Sequence, residues 1–146
     1  MNSIRERIVL AVMAKLLPVA TSHGATLHRQ PVVAITRDQC PALVLFPESD
    51  AITDRPNDRV MRELTLRLVA LARAVPPDAP ETAADALLAA AHATLFTDVN
   101  LDGLALGIKE LDAEWETEDA DATAAAIPAR YAIAYRTLAH DITQKG

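Results

Sequence analysis

Four residues in the stretch "TDVNLDGLALGIKE", residues 97 to 110, have the types and spacing of a calcium loop. Asp98, Asn100, Asp102 and Gly103 stand at positions 1, 3, 5 and 6 of an EF-hand, where oxygens converge on the cation and glycine makes the sharp turn. The chemistry fails further along. Position 12 must supply a bidentate Glu and is Lys109; position 9 is Leu106; the segment that follows reads as strand, not helix. Asp, Asn and Gly are also what any tight turn prefers. The stretch therefore reads as a turn from helix to strand, with Gly103 free to take positive φ.

The second chemical feature is a run of carboxylates, Glu110, Asp112, Glu114, Glu116 and Glu118, continued by Asp119 and Asp121. Strand periodicity points the first five to one side. Metal binding or acid–base work by such a row needs a pocket, a partner and unequal environments, and nothing in the sequence supplies them. That side is either solvated or faces something basic. His92 and His140 are the histidines that a small metal- or ligand-binding enzyme would add to these acids. His92, however, lies near the apolar stripe of a helix with no second His or Cys nearby, which is the pattern of a partly buried or edge histidine. The single cysteine, Cys40, excludes an internal disulfide framework and reads as a small buried hydrophobe before Pro41. No Ser/His or Cys/His arrangement marks a nucleophile. No catalytic residue, metal ligand or cofactor is assigned, and the chain reads as a non-enzyme.

The elements that carry these residues follow from periodicity. Residues 3 to 17 read as a helix, opened by the capping box Ser3–Glu6, with Ile4, Ile8, Ala11, Val12 and Leu16 on one face and Pro18 as its stop. Val32–Thr36 and Ala42–Phe46 read as a hairpin turned by Arg37, Asp38 and Gln39, the second strand buried on both faces. Residues 47 to 60, with two prolines and several acids, read as an exposed loop or a long hairpin tip. "ELTLRLVALARAV" alternates as a strand, and 81–96 is an Ala- and Leu-rich helix that Thr82 can cap. Two further strands close the chain. In the last, Tyr131, Ile133 and Tyr135 share one face, and Arg130, Ala132, Ala134 and Arg136 the other. Between these strands "DADATAAAIP" reads as a turn or short helical piece, and 140–146 as a flexible tail.

Composition sets the class. The chain has 146 residues, 51% of them hydrophobic, with only five aromatics, so its core is built of small and aliphatic side chains. That length is one domain, with no internal repeat. A net charge of −6 argues against nonspecific binding to nucleic acid or anionic membrane, because a polyanion is repelled. Arg55, Arg59, Arg62 and Arg67 cluster in sequence, but acids interrupt them and no aromatics are interleaved for base stacking. The N-terminus is not a convincing signal peptide, since Glu6 and Lys15 interrupt it, and no segment reaches the roughly 18 apolar residues of a membrane helix. A soluble cytoplasmic protein is expected. The expected fold is α+β, a single domain over 1–146. It has a mixed or antiparallel sheet of about five strands with two main helices packed on one side.

The order of elements resembles the tail terminator family of long-tailed phages, the lambda-like minor tail proteins that cap the tail tube. The resemblance is carried over nearly the whole chain by "IRERIVLAVMAKL", "PALVLFPESD" with its charged loop, "RELTLRLVALA", "AADALLAAAHATLF" and "EWETEDADATAAAIPARYAIAYRT". It implies a structural role: a hexameric ring that ends tail-tube polymerisation and presents the head-joining surface. The implied partners are other copies of the chain, the tail tube protein and a head-completion protein, with DNA passing through unbound. The implied locations are the host cytoplasm during assembly and then the virion tail. Within that reading Glu48, Asp50, Asp54, Arg55, Asp58 and Arg59 are candidate subunit-interface residues. Glu110, Asp112, Glu114, Glu116 and Glu118 are candidate lumen-facing acids, which would repel DNA phosphates. Another head–tail connector or tail-completion factor, a bacterial adaptor that dimerises, or the small enzyme above are the alternatives.

Overall fold

The structure is a computed structural model, described over residues 1–74, 78–116 and 124–146. Helix α1 (Ile4–Ser22) leads to strand β1 (Thr26–Arg29), a long hairpin of β2 (Ala42–Asp54) and β3 (Arg59–Arg73), helix α2 (Pro80–Leu95), and strands β4 (Gly107–Ala113) and β5 (Ala124–Leu138). The five strands form one sheet in the order β1-β2-β3-β5-β4. β1 runs parallel to β2; the other neighbours are antiparallel, so the sheet is mixed and the fold α+β, as expected.

Alternation in the central strands decides where the helices go. Leu64, Leu66, Leu68 and Ala70 of β3 lie opposite Ile133, Tyr131, Ala129 and Ile127 of β5. With Leu43 and Leu45 of β2 they join Ile4, Ile8, Val12, Leu16, Leu87 and Ala91 in one buried cluster. Both helices thus cover the same face. Tyr131, Ile133 and Tyr135 share that face, as their spacing predicts.

Several elements differ from the sequence reading. α1 does not stop at Leu17 but runs through Pro18 to Ser22. The carbonyl stranded by the missing N–H is that of Ala14, an exposed residue, so the lost bond does not leave a buried acceptor. Val19 and Ala20, just beyond, are buried and hold the last turn to the core. Ser3 caps α1 by accepting the Glu6 N–H at 3.2 Å, but the Glu6 carboxylate does not complete the capping box. It takes the fork of Arg29 at 2.6 and 2.7 Å and ties α1 to β1. The hairpin expected between 32–36 and 42–46 is absent. β-branching at Val32 and Val33 does not bury them, and both are exposed. The ladder position beside β2 is taken instead by Thr26–Arg29, in parallel register. α2 begins with Pro80 at its first turn, its N-cap being Ala79 rather than Thr82, because fixed φ without an N–H suits a helix start. Ala124–Ala126 belong to β5 rather than to a helical piece.

Residues 47 to 54 are not an open loop. β2 runs to Asp54 in register with β3, leaving only residues 55 to 58 as the turn, so the long hairpin tip is what forms. The tail is not free either. Lys145 bridges Thr137, the Ile4 N–H donates to Ile142 O at 2.8 Å, and the Leu138 N–H donates to Gln144 O at 3.1 Å.

Candidate assembly surfaces

The acid-rich strand is split by a β-bulge. Ile108 and Glu110 lie opposite Ile133 and Tyr131, on the helix face, whereas after a register shift Asp112 lies opposite Arg130, on the helix-free face. Glu116 bridges Ala126 and follows Asp112 to that second face. The alternation rule therefore holds on either side of Leu111 but not across it, because the bulge inserts one residue into the count. Glu110 leaves the row of candidate lumen-facing acids. Asp112 is no free carboxylate: it accepts Arg130 Nη1 at 3.1 Å, and the same guanidinium donates to Glu48 at 3.0 Å. Glu63 and Lys109 add a further pair at 3.4 Å. Glu114 and Glu116 are exposed, and Glu118 lies outside the described residues.

The six candidate interface residues divide in the same way. Asp50 points to the helix side with only 9% of its side chain exposed. It accepts Arg5 Nη1 at 3.0 Å and the Tyr135 hydroxyl, and lies 3.9 Å from Arg62. Arg62 in turn donates from Nε to Thr137 at 3.1 Å. A second bulge, between Pro47 and Ser49, turns Asp50 inward. Its Oδ2 is committed inside the protomer, and its Oδ1 is buried without a hydrogen-bond partner among the described residues. Glu48 sits with Arg130. Asp54, Arg55, Asp58 and Arg59 are exposed at the tip, and they remain available to a partner.

On the helix face, His92 Nδ1 lies 2.9 Å from the Tyr131 hydroxyl and its ring stacks on Phe96 at 4.6 Å. This is the half-buried edge histidine that its place on the stripe predicts. Burial, aided by the charge of Glu110, pushes Tyr131 up to about 12. Burial and the Asp50 hydrogen bond push Tyr135 well above the usual phenol range. The opening stretch is a turn, as read: the Asp98 carboxylate accepts the Asp102 N–H at 2.9 Å, and Gly103 takes φ +86°. Leu101 and Asp102 share positive φ with it. Among the described residues, no three His, Cys, Asp or Glu side chains gather as a metal site, and no helix is long and apolar enough to cross a membrane.

Sequence reasoning missed a cleft of about 490 Å³ on the helix-free face. Its floor is Arg67, Val69 and Leu71 of β3 with Ala126 and Pro128 of β5; the 31–40 segment, with Val33, Ile35 and Cys40, forms a wall. Cys40 is half-buried there. The Arg67 guanidinium lies 4.6 Å from the Phe46 ring centroid, in cation–π range. Its Nε is buried without a hydrogen-bond partner among the described residues. One signal was present in the sequence. Arg67 interrupts the increasingly apolar half of β3 at a position that alternation turns away from the helices.

No family model matches the chain, and no curated protein matches it. Its architecture, however, is similar to that of a chain from the virion of a native gene transfer agent (GTA) particle. The TM-score is 0.56 at 14% identity, over 84% of this chain and 90% of that one. This fold occurs in a virion. At such identity the likeness is one of fold, and it spans the helices and sheet together rather than a single motif.

Proposed function

We propose that the chain is a structural subunit of a phage-like particle, whose copies close into a ring that caps the tail tube. The ring ends tube polymerisation and offers the surface to which the head is joined. Its partners are the tail tube protein and a head-completion protein. It assembles in the host cytoplasm and ends in the virion tail. The observation that carries this reading is the fold likeness to a virion chain over most of both lengths. The resemblance of the element order to tail terminators supplies the finer role. The distribution of charge agrees with it. Asp50 and Glu6 are paired inside the protomer with Arg5 and Arg29, while an exposed charged tip projects beyond the sheet, the kind of polar surface that subunits stored apart can bear.

The deciding experiment measures mass by light scattering across concentration, with negative-stain imaging of tails made with and without the protein. A reversible shift towards a hexamer, and tubes of uncontrolled length in its absence, are expected. A tight dimer that leaves tube length unchanged would overturn the reading. Tubes of normal length that fail to join heads would favour a head–tail connector instead.

A further inference from the structure

We propose that the cleft on the helix-free face is the socket for the β2–β3 hairpin tip of a second copy of this chain. The contact rests on the ring reading above and names the two surfaces that close it.

The tip and the cleft complement each other. Around the tip, Ile52 is 42% exposed, and the carboxylates of Asp54 and Asp58 face solvent. The tip is stiff. The Arg59 N–H donates to Pro56 O at 3.1 Å, the Arg55 N–H to Asp54 Oδ1 at 2.8 Å, and the Ala139 N–H to Asp58 O at 2.7 Å. A preordered element loses little freedom on docking. The cleft offers apolar walls for an Ile side chain and the Arg67 guanidinium for a carboxylate. Arg67 Nε finds no acceptor among the described residues of its own protomer, so the charge of this guanidinium is left for a docking carboxylate to balance. Glu116 also lines the cleft and is opposite in sign to Arg55 of the tip.

Topology makes the contact one between copies. Phe46 and Arg67 pair in the same ladder as Asp54 and Met61, and the cleft extends away from the tip to Leu71 and Arg73. At about 3.3 Å per strand residue the tip stands roughly 20 to 40 Å from its own cleft. It cannot fold back along a rigid sheet, so it reaches only a neighbour. A tip at one end and a socket at the other make a head-to-tail interface, the kind that closes into a ring when the rotation allows. The competing mode, strand addition at an open edge, is blunted on both sides. Beyond Leu45 the outer edge of β2 carries Pro47 and two register shifts, and β4 carries the shift at Leu111.

Cys40 lines the cleft and is the sole cysteine, so it reports on the contact. The test places a second thiol on the exposed tip by Arg55→Cys and treats the purified full chain with a short bismaleimide across concentration. The expected product is a ladder of covalent multimers that disappears when Cys40→Ser is added. The double reversal D54K/D58K should weaken self-association about tenfold or more at low salt. Dimers that persist with Cys40→Ser would overturn the docking. So would the absence of a ladder in a sample that light scattering shows to be oligomeric, and the ring reading would then stand on other surfaces. A chain that stays monomeric without cross-links also overturns the docking, and tail imaging then judges the ring separately. Unchanged association of D54K/D58K counts against it independently of the thiols.

Discussion

The Tyr135 hydroxyl donates to Asp50 Oδ2, joining β5 to β2 across the intervening β3. The same oxygen takes the Arg5 guanidinium from α1 at 3.0 Å, so one carboxylate ties a helix to two strands. This link sits in a stretch whose composition reads as a solvated loop, and it is one reason that β2 continues to Asp54.

Removing that carboxylate leaves the Tyr135 hydroxyl without its acceptor and the nearly buried Arg62 without its counter-charge. Asp50→Ala should therefore lower unfolding stability by about 3 kcal/mol, the range for breaking a buried charged pair. Arg5 is 44% exposed, and Arg5→Ala should cost no more than about 1 kcal/mol. Urea unfolding midpoints compare the two. Equal, small losses would show that Asp50 is not the centre of the network.

Stability should fall in alkali through the tyrosines. Tyr131 is raised in the folded chain from 10.0 to about 12. A raised folded value favours the protonated phenol, so its contribution is complete below pH 10 and is lost as pH rises towards 12. Tyr135 extends the loss to higher pH. The readout is the difference between the parent chain and Tyr131→Phe. The variant should show a shallower decline in unfolding free energy above pH 10. Parallel curves would refute the assignment.

His92 bridges α2 and β5 through Tyr131 and stacks on Phe96. His92→Ala should cost about 1–2 kcal/mol from the lost hydrogen bond and ring contact. Combining it with Tyr131→Phe should cost less than the sum of the two. A double-mutant cycle by chemical denaturation gives the coupling, and strict additivity would mean the contact is energetically silent.

The bulge at Leu111 separates two kinds of acid in the proposed ring. Glu114→Lys, at an exposed acid outside the cleft, should impair DNA passage, read as lost infectivity of particles whose rings are intact. Glu110→Lys, on the helix face, should leave passage unchanged. Normal infectivity of the first variant would remove the repulsive role of this row.

Much of the architecture was legible because burial and periodicity agree. The stripe Ile4, Ile8, Val12, Leu16 and the alternation around Tyr131, Ile133 and Tyr135 each admit one buried face, and the sheet and helices follow from them. The errors share a cause. Pro18 and Val32 were read by local preference, and each was overruled by a partner distant in sequence; at 47–54 such a partner selected the long hairpin tip over the open loop. Buried Val19 and Ala20 carry the helix past Pro18. Thr26–Arg29 takes the ladder site that local preference assigns to Val32–Thr36. β3 supplies hydrogen bonds to a stretch that could not order itself.

By itself the sequence determined the fold class, the two helices, the turn at Gly103 and the partly buried place of His92, since each depends on residues within a few positions of one another. Tertiary structure alone decided where the charges go. Two bulges, one before Ser49 and one at Leu111, turn Asp50 inward and move Asp112 to the opposite face from Glu110. A one-residue slip in a strand reverses every side chain beyond it, and such a slip is set by strand pairing rather than by the residues that slip. The same pairing assembled the cleft of Arg67, Phe46 and Cys40 from segments that carry no shared signal along the chain.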